Sequence, residues 1–273
     1  MAGEAEAALK GGNLDEALIT LQEKIRERPQ DRNLRVFLFQ LLAVRGDWVR
    51  AGRQLDVLVE MDAQFALFAQ TCRALLAAES TRVRVFAGAQ SPSLLGEPPA
   101  WAAKLTEALV QAAAGQHAAA GGLREAAFAE AAAVPGRLDG RPFAWLADAD
   151  SRLGPILEAV VDARYLWIPF ERIRRIAFEP VTDLRDLVWL PAQFTWANKG
   201  ETVGFVPTRY VGSEGCPESA VRLARTTEWQ APADDAAAVG LGQRMLATDS
   251  DDVGLLECRL IELDAELAPE AHG

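Results

Sequence analysis

A chain of 273 residues, half of them hydrophobic and a quarter charged, has the make-up of a folded globular protein with room for more than one core. Its formal net charge of -11 argues against a nucleic-acid partner, because most of such a surface repels phosphates. Three widely spaced cysteines, Cys72, Cys216 and Cys258, suggest neither a disulfide framework nor a zinc site. The opening MAGEAEAALKGG has no basic stretch leading into an apolar one, so neither a secretory signal nor a membrane span is expected, and the expected location is the cytoplasm.

The first half carries an internal repeat. Gly12, Leu14, Ala17, Leu21 and Ile25 recur 34 residues later as Gly46, Trp48, Ala51, Leu55 and Val59. Leu14, Ala17, Leu18, Leu21 and Ile25 fall on one face of a helix, and Leu34 and Leu41 of the helix that follows correspond to Phe68 and Leu75. Gly12 and Gly46 are expected to end helices in the left-handed conformation, Ala17 and Ala51 to let paired helices approach, and Pro29 to stop a helix. A degenerate third unit is expected around Trp101, Leu105, Leu109, Gly115 and Ala120, after an insertion, AGAQSPSLLGEPPA, that reads as a loop. The alanine-rich stretch 112–133 is expected to be helical.

The period resembles that of the tetratricopeptide repeat. Arrays of that kind leave a groove suited to a peptide or a helix. Arg35, Arg45, Gln54 and Gln70 are candidates for its rim. The other reading is a helical region that packs only on its own C-terminal half.

After AVPGRLDGRP the texture changes to short apolar runs broken by Pro and Gly. ILEAVV, RYLWIP, LVWLPAQFTW, ETVGFVP, QRMLA and LLECRLIEL read as strands, with Pro169, Pro191 and Pro207 confined to edges or ends. The predicted fold class is α+β in two domains: 1–135 a tetratricopeptide-like helical repeat domain, and 143–273 a mixed domain with a mostly antiparallel, barrel-like sheet. The segment from Thr226 to Gly273 holds eleven acidic residues against two arginines, Arg244 and Arg259. It reads as a solvated acidic face, or as one that attracts a basic partner.

DADSRLGPILE, RYLWIPFERI, TDLRDLVWLPAQFTW, GFVPTRY and GLGQRML followed by LLECRLIEL resemble, in that order, the ImpE/SciE (TagJ) family of bacterial type VI secretion accessory proteins. The resemblance implies a cytoplasmic accessory role at the contractile sheath: binding an N-terminal helix of the small sheath subunit and, in some systems, assisting a ClpV-type AAA+ ATPase in sheath turnover.

The residues for chemistry are sparse. His117 and His272 are the two histidines, no phosphate-binding glycine motif occurs, and no cofactor or metal is expected. Glu171, Glu179, Asp183 and Asp186 among Arg164, Arg172, Arg174, Arg175 and Arg185 read as ion pairs sooner than as an acid-base cluster. Trp145, Trp167, Trp189 and Trp196 read as core or interface residues sooner than as a ligand pocket. Cys216 has no basic neighbour in sequence to activate it. Arg152 and Arg244 could form a small anion site, but pairing to Glu158 or Asp186 is preferred. The reading is a non-catalytic adaptor. The alternatives are an enzyme built on the C-terminal sheet and a scaffold whose helices serve to dimerise. Purified protein is expected to turn over neither ATP nor esters. Turnover that persists through several columns and disappears with a single carboxylate substitution would contradict that.

Overall fold

The computed structural model describes residues 3–231 and 237–265. His272 and the acidic Asp234, Asp235, Glu266 and Glu270 lie outside the described residues. The N-terminal region is helical: α1 (Gly3–Lys10), α2 (Leu14–Glu27), α3 (Arg32–Val44), α4 (Trp48–Met61), α5 (Ala66–Phe86), α6 (Ala100–Ala113) and α7 (His117–Glu130). No described helix is long and apolar enough to cross a membrane.

One turn chemistry is reused along this region. After α1, α3, α5 and α6 a glycine at positive φ, Gly12 (80°), Gly46 (73°), Gly88 (67°) or Gly115 (75°), closes the helix. Its amide bonds to the carbonyl three residues back, and the next amide to the carbonyl five back, as in Gly46 N to Ala43 O (3.0 Å) and Asp47 N to Leu42 O (2.9 Å). This is the Schellman arrangement, in which a left-handed residue satisfies the last carbonyls of a helix. One residue on, Asn13 and Asp47 cap α2 and α4 by accepting from Glu16 N and Arg50 N. A Gly-Asn or Gly-Asp pair thus ends one helix and starts the next. The helices that follow bury the repeating positions, with Ala17, Leu21, Ala51 and Leu55 fully inaccessible. Pro29 lies just past the end of α2, as expected.

The C-terminal region is built on an open eight-stranded sheet in the order β2-β1-β13-β6-β7-β8-β4-β5, antiparallel throughout. Its strands are β1 (Gly136–Leu138), β2 (Arg141–Phe143), β4 (Ile156–Val161), β5 (Arg164–Pro169), β6 (Ile173–Phe178), β7 (Trp189–Trp196), β8 (Glu201–Pro207) and β13 (Leu260–Leu263). The expected barrel does not close, since β2 and β5 stand at opposite edges and do not pair. The β5 edge is protected in another way. The insertion read as a loop lies along it, Trp167 N donating to Ser93 O (2.8 Å) and Leu95 N to Trp167 O (3.1 Å).

A three-stranded sheet, β3 (Leu146–Asp148), β11 (Met245–Thr248) and β12 (Asp252–Gly254), and a ribbon of β9 (Thr227–Gln230) with β10 (Val239–Gly242) complete the region. A short helix α8 (Ser219–Arg222) precedes β9.

Several expectations need correction. The stretch GRLDGRP is a hairpin of β1 and β2, turning at Asp139 (φ 49°) and Gly140 (φ 79°), since an Asp-Gly pair supplies the two left-handed residues of a tight hairpin. Pro169 and Pro207 end their strands, but Pro191 sits inside β7 opposite Phe205, where pairing with β6 has already stopped at Ala192. The first half of LLECRLIEL is a turn of 3-10 helix, Leu255–Glu257. IRRIAF was not predicted and is the central strand β6.

Alternation along the strands sorts the core into two faces. Ile156, Val160, Tyr165, Trp167 and Trp189 join a buried cluster with Leu41, Leu75, Val85 and Leu105 of the helices. Leu157, Ala159, Val161, Leu166, Ile168 and Leu190 point the other way, into a second cluster with Leu246, Val253, Leu255 and Ile261. Helices and sheet therefore share a core on one side of the sheet.

The two equivalent glycines differ in what surrounds them. A Cβ on Gly12 would meet nothing nearer than Arg225 Nη1 at 3.8 Å, whereas one on Gly46 would lie 2.5 Å from Glu214 Cγ and 2.6 Å from Glu214 Cβ. Gly12→Ala is expected to lower stability by about 1 to 2 kcal/mol through left-handed strain alone, and Gly46→Ala by clearly more. Urea unfolding of both variants is the measurement, and equal losses would show that the Glu214 contact relaxes freely.

Candidate functional site

The expected groove-rim residues are spread along three successive helices. Arg35 on α3 donates to Gln54 on α4 (3.3 Å), Arg45 after α3 pairs with Asp15 on α2 (2.5 Å), and Gln70 is exposed on α5. Gly12 and Gly46 take the turn positions described above, and Ala17 and Ala51 are buried. Beside the first helices lies a cleft of about 640 Å³ lined by Glu4, Glu6, Lys24, Glu27, Arg28 and Leu34. Exposed apolar side chains, Ile19, Val49 and Leu67, stand on α2, α4 and α5.

Much of α3 and α5 faces the C-terminal region. Gln40 donates to Asp183 (3.2 Å), Trp189 Nε1 to Glu79 (2.9 Å), and the Arg185 guanidinium sits 5.0 Å from the Phe68 ring. Two arginines from the C-terminal half reach helix ends. Arg209 donates to Val44 O (2.8 Å) at the end of α3, and Arg225 to Leu9 O (2.8 Å) and Lys10 O (3.1 Å) at the end of α1. Cations placed there meet both unpaired carbonyls and the negative end of the helix dipole.

At the centre of this junction is a buried ionic cluster. Glu158 stands in the middle of β4, on the face that looks at the helices, and is fully inaccessible. Arg82 of α5 grips it with two bonds, Nε to Oε1 (2.7 Å) and Nη2 to Oε2 (3.0 Å), and also donates to Arg209 O (2.7 Å). Arg244 reaches the other side, donating to Glu158, to Asp148 and to Pro207 O (2.9 Å). Tyr165 OH donates to Glu158 (2.5 Å) and receives Trp167 Nε1 (2.8 Å), while Tyr210 OH donates to Asp148 (3.0 Å).

Electrostatics follow from this geometry. Burial by itself would raise the Glu158 pKa, but the charges of Arg82 and Arg244 outweigh it and hold the carboxyl at about 2. For Asp148 the balance reverses. Burial, with Asp150 beside it, outweighs the single arginine it shares with Glu158, and the carboxyl is pushed up to about 6. Burial raises Glu79 as well, against the opposing pull of Arg82. A bidentate arginine across two elements fixes their relative position as well as neutralising charge.

Of the two partners preferred for a buried arginine, Glu158 and Asp186, Arg244 takes Glu158, with Asp148 as an additional partner. Arg152 pairs with Asp150 (2.6 Å) and with neither Glu158 nor Asp186. The carboxylates and arginines between 164 and 186 are not gathered into one site: Arg185 lies near Asp183 (3.3 Å) and Asp186 (3.8 Å), Arg172 donates to Glu97 O, and Glu179 accepts from Gln193. Trp167 and Trp189 are core residues, Trp196 stacks on Phe194 at 5.0 Å, and Trp145 is exposed. Cys72 and Cys258 are buried, which pushes their thiols up to about 11 and about 12. Among the described residues no group of three or more His, Cys, Asp or Glu side chains is placed to hold a metal ion.

Reasoning from sequence missed Arg82, Asp148, Tyr165, Tyr210 and Arg209. One signal was available: an acid inside the apolar run ILEAVV has to find a cation when that strand is buried on both faces.

Glu158→Gln is expected to destabilise the protein by roughly 3 to 5 kcal/mol, since it leaves two buried arginines short of a counter-charge. The pH dependence has two parts of opposite sign. Glu158, held below its ordinary 4.5, contributes stability that is present above that value and lost as pH falls toward about 2. Asp148, raised from 3.8, binds its proton more tightly when folded, so its contribution is present below 3.8 and lost as pH rises through about 6. Urea midpoints recorded between pH 4 and 7 are therefore expected to show a component that falls with pH in the native protein and is missing in Asp148→Asn.

Comparison with known proteins places the chain. The family model described as ImpE protein matches residues 140–262. The crystal structure of protein VPA1032 from Vibrio parahaemolyticus has a TM-score of 0.87 at 26% identity, covering 97% of this chain and 98% of its own. A Pseudomonas aeruginosa protein, the type VI secretion system accessory component TagJ, is 47% identical over 262 residues, which are 96% of this chain and 91% of that protein. Identity at that level along nearly the whole of both chains shows that this protein belongs to the ImpE family, together with TagJ of Pseudomonas aeruginosa.

Proposed function

We propose that this protein is an accessory component of type VI secretion that acts by holding other proteins and carries out no chemistry of its own. The observation that carries this reading is the 47% identity to TagJ over 96% of the chain. The buried junction agrees with it: the carboxylates and arginines of the cluster are spent on one another and on backbone carbonyls, which suits a rigid frame better than a reaction centre.

The partner proposed is the N-terminal helix of the small sheath subunit, received by the helical region, which we read as a tetratricopeptide-like array. Assistance to a ClpV-type ATPase follows from the same placement at the sheath. Because much of α3 and α5 is taken by the C-terminal half, the surface left to a partner helix is the outer side of the array. It includes the cleft beside Lys24 and Leu34, with Arg35, Arg45, Gln54 and Gln70 as rim. A helix docked there would use apolar anchors at i, i+3, i+4 and i+7. The shared core favours a second reading, in which the helices serve only to complete the fold.

Calorimetric titration of the full chain with the sheath subunit's N-terminal peptide separates the two. Binding is expected to be weakly dependent on salt and lowered several-fold in an Arg35→Ala, Gln54→Ala double variant, as rim positions are. Absence of heat from a chain shown to be folded by circular dichroism would favour the scaffold.

A further inference from the structure

A second surface lies away from the rim positions and the cleft described above. Where α7 ends, Phe128, Ala131, Ala132 and Ala133 line a groove of about 410 Å³ together with Trp145, Leu146 and Ala147 of the β3 segment, Gly154 and Pro155. Two aromatic side chains stand open at its walls, Phe128 at 40% and Trp145 at 39% exposure. The groove is built into the backbone. Gly154 adopts φ 54°, and a Cβ there would lie 2.3 Å from the Phe128 ring, so the absence of a side chain is what seats this wall. On the side away from β11, among the described residues, β3 pairs through a single bridge from Asp148 to Gly154.

Charge around the groove is one-sided. At the α7 end Glu130 is paired with Lys104. At the Trp145 end the turn between β11 and β12 presents Asp249, Asp251 and Asp252, all exposed. Asp249 is drawn close to the tryptophan because it accepts from Ala144 N at 2.7 Å. Arg141 approaches Asp251 at 3.7 Å, and no cation among the described residues pairs with Asp249 or Asp252.

We propose that this groove is a docking site for a protein segment that combines one or two large apolar side chains with basic residues beside them. The anchors would lie between Phe128 and Trp145, and the cations would meet Asp249 and Asp252. Aromatic walls supply contact area at little entropic cost. The acidic rim selects sign and raises the association rate, and its effect is screened by salt. This assigns a use to part of the acidic C-terminal segment and does not depend on the sheath-helix reading.

The test uses the full chain and two labelled probe peptides with the same Leu-Trp-Leu centre, one flanked by lysines and one by glutamates, followed by fluorescence anisotropy. The lysine-flanked peptide is expected to bind, more weakly as salt rises, and the glutamate-flanked peptide to bind at least about tenfold more weakly. Trp145→Ala, at an exposed position, is expected to weaken binding roughly tenfold. An Asp249→Asn, Asp252→Asn double variant, which keeps the acceptor for Ala144 N, is expected to erase the preference between the peptides. Equal binding of both peptides, no binding of either, or binding untouched by Trp145→Ala each overturns the proposal. Light scattering that shows a dimer of the unliganded chain, lost in Trp145→Ala, would also overturn it and assign the groove to a second copy. The sheath peptide appears in no arm, so failure here leaves the proposed function standing.

Discussion

Glu158 sits in the middle of a strand with no access to water, and the arrangement of the rest of the molecule answers to that charge. A lone carboxylate in such a place would be costly enough to stay protonated or to prevent the strand from being buried. Two arginines from distant parts of the chain remove the problem together: Arg82 from a helix on one side and Arg244 from the segment before β11. Neither half of the protein supplies the whole cluster. The helical region brings Arg82 and Glu79, the sheet brings Glu158, Tyr165 and Trp167, and the late segment brings Arg244, with Asp148 and Tyr210 behind it. A buried pair of this kind adds little net stability over an apolar core of the same shape. What it adds is position, because bidentate geometry tolerates little sliding of α5 over β4.

The same division of labour recurs at the helix ends. Schellman turns at Gly12 and Gly46 satisfy some of the last carbonyls of α1 and α3, Arg225 and Arg209 from the C-terminal half take Lys10 O and Val44 O, and Leu9 O receives both Gly12 N and Arg225. The repeat in the sequence therefore encodes the turns, while completion of those helices is delegated to residues some 165 to 216 positions away. Gly46 shows both roles at once, since its missing side chain permits the left-handed turn and also leaves room for Glu214.

This packing changes what the helical region can offer a partner. In a free-standing helical array the inner face is the natural groove. Here α3 and α5 lean on the C-terminal half through Gln40, Phe68, Glu79 and Arg82, so any partner of this region would be left the outer surfaces and the small clefts at the periphery. The exposed aromatics Phe128 and Trp145, by contrast, stand where helix gives way to sheet and have no such cover.

The sequence by itself determined the local structure: helix stops at Gly12, Gly46 and Gly115, the buried stripe of α2 and α4, and the strands β4, β5 and β8, whose ends match their apolar runs. Those features depend on residues close in the chain, through propensity, periodicity and the φ tolerance of glycine. That a buried arginine, Arg152 or Arg244, pairs to Glu158 or Asp186 was legible as a set of alternatives, and the structure selects Arg244 with Glu158. The tertiary structure alone decided the strand order, the open sheet in place of a barrel, the use of residues 93–95 to cover the β5 edge, and the gathering of Arg82, Asp148 and Tyr210 around Glu158. Each of these joins residues tens to more than a hundred positions apart, and which distant partner meets a given side chain is set by the packing of the whole chain, for which local pattern carries no register.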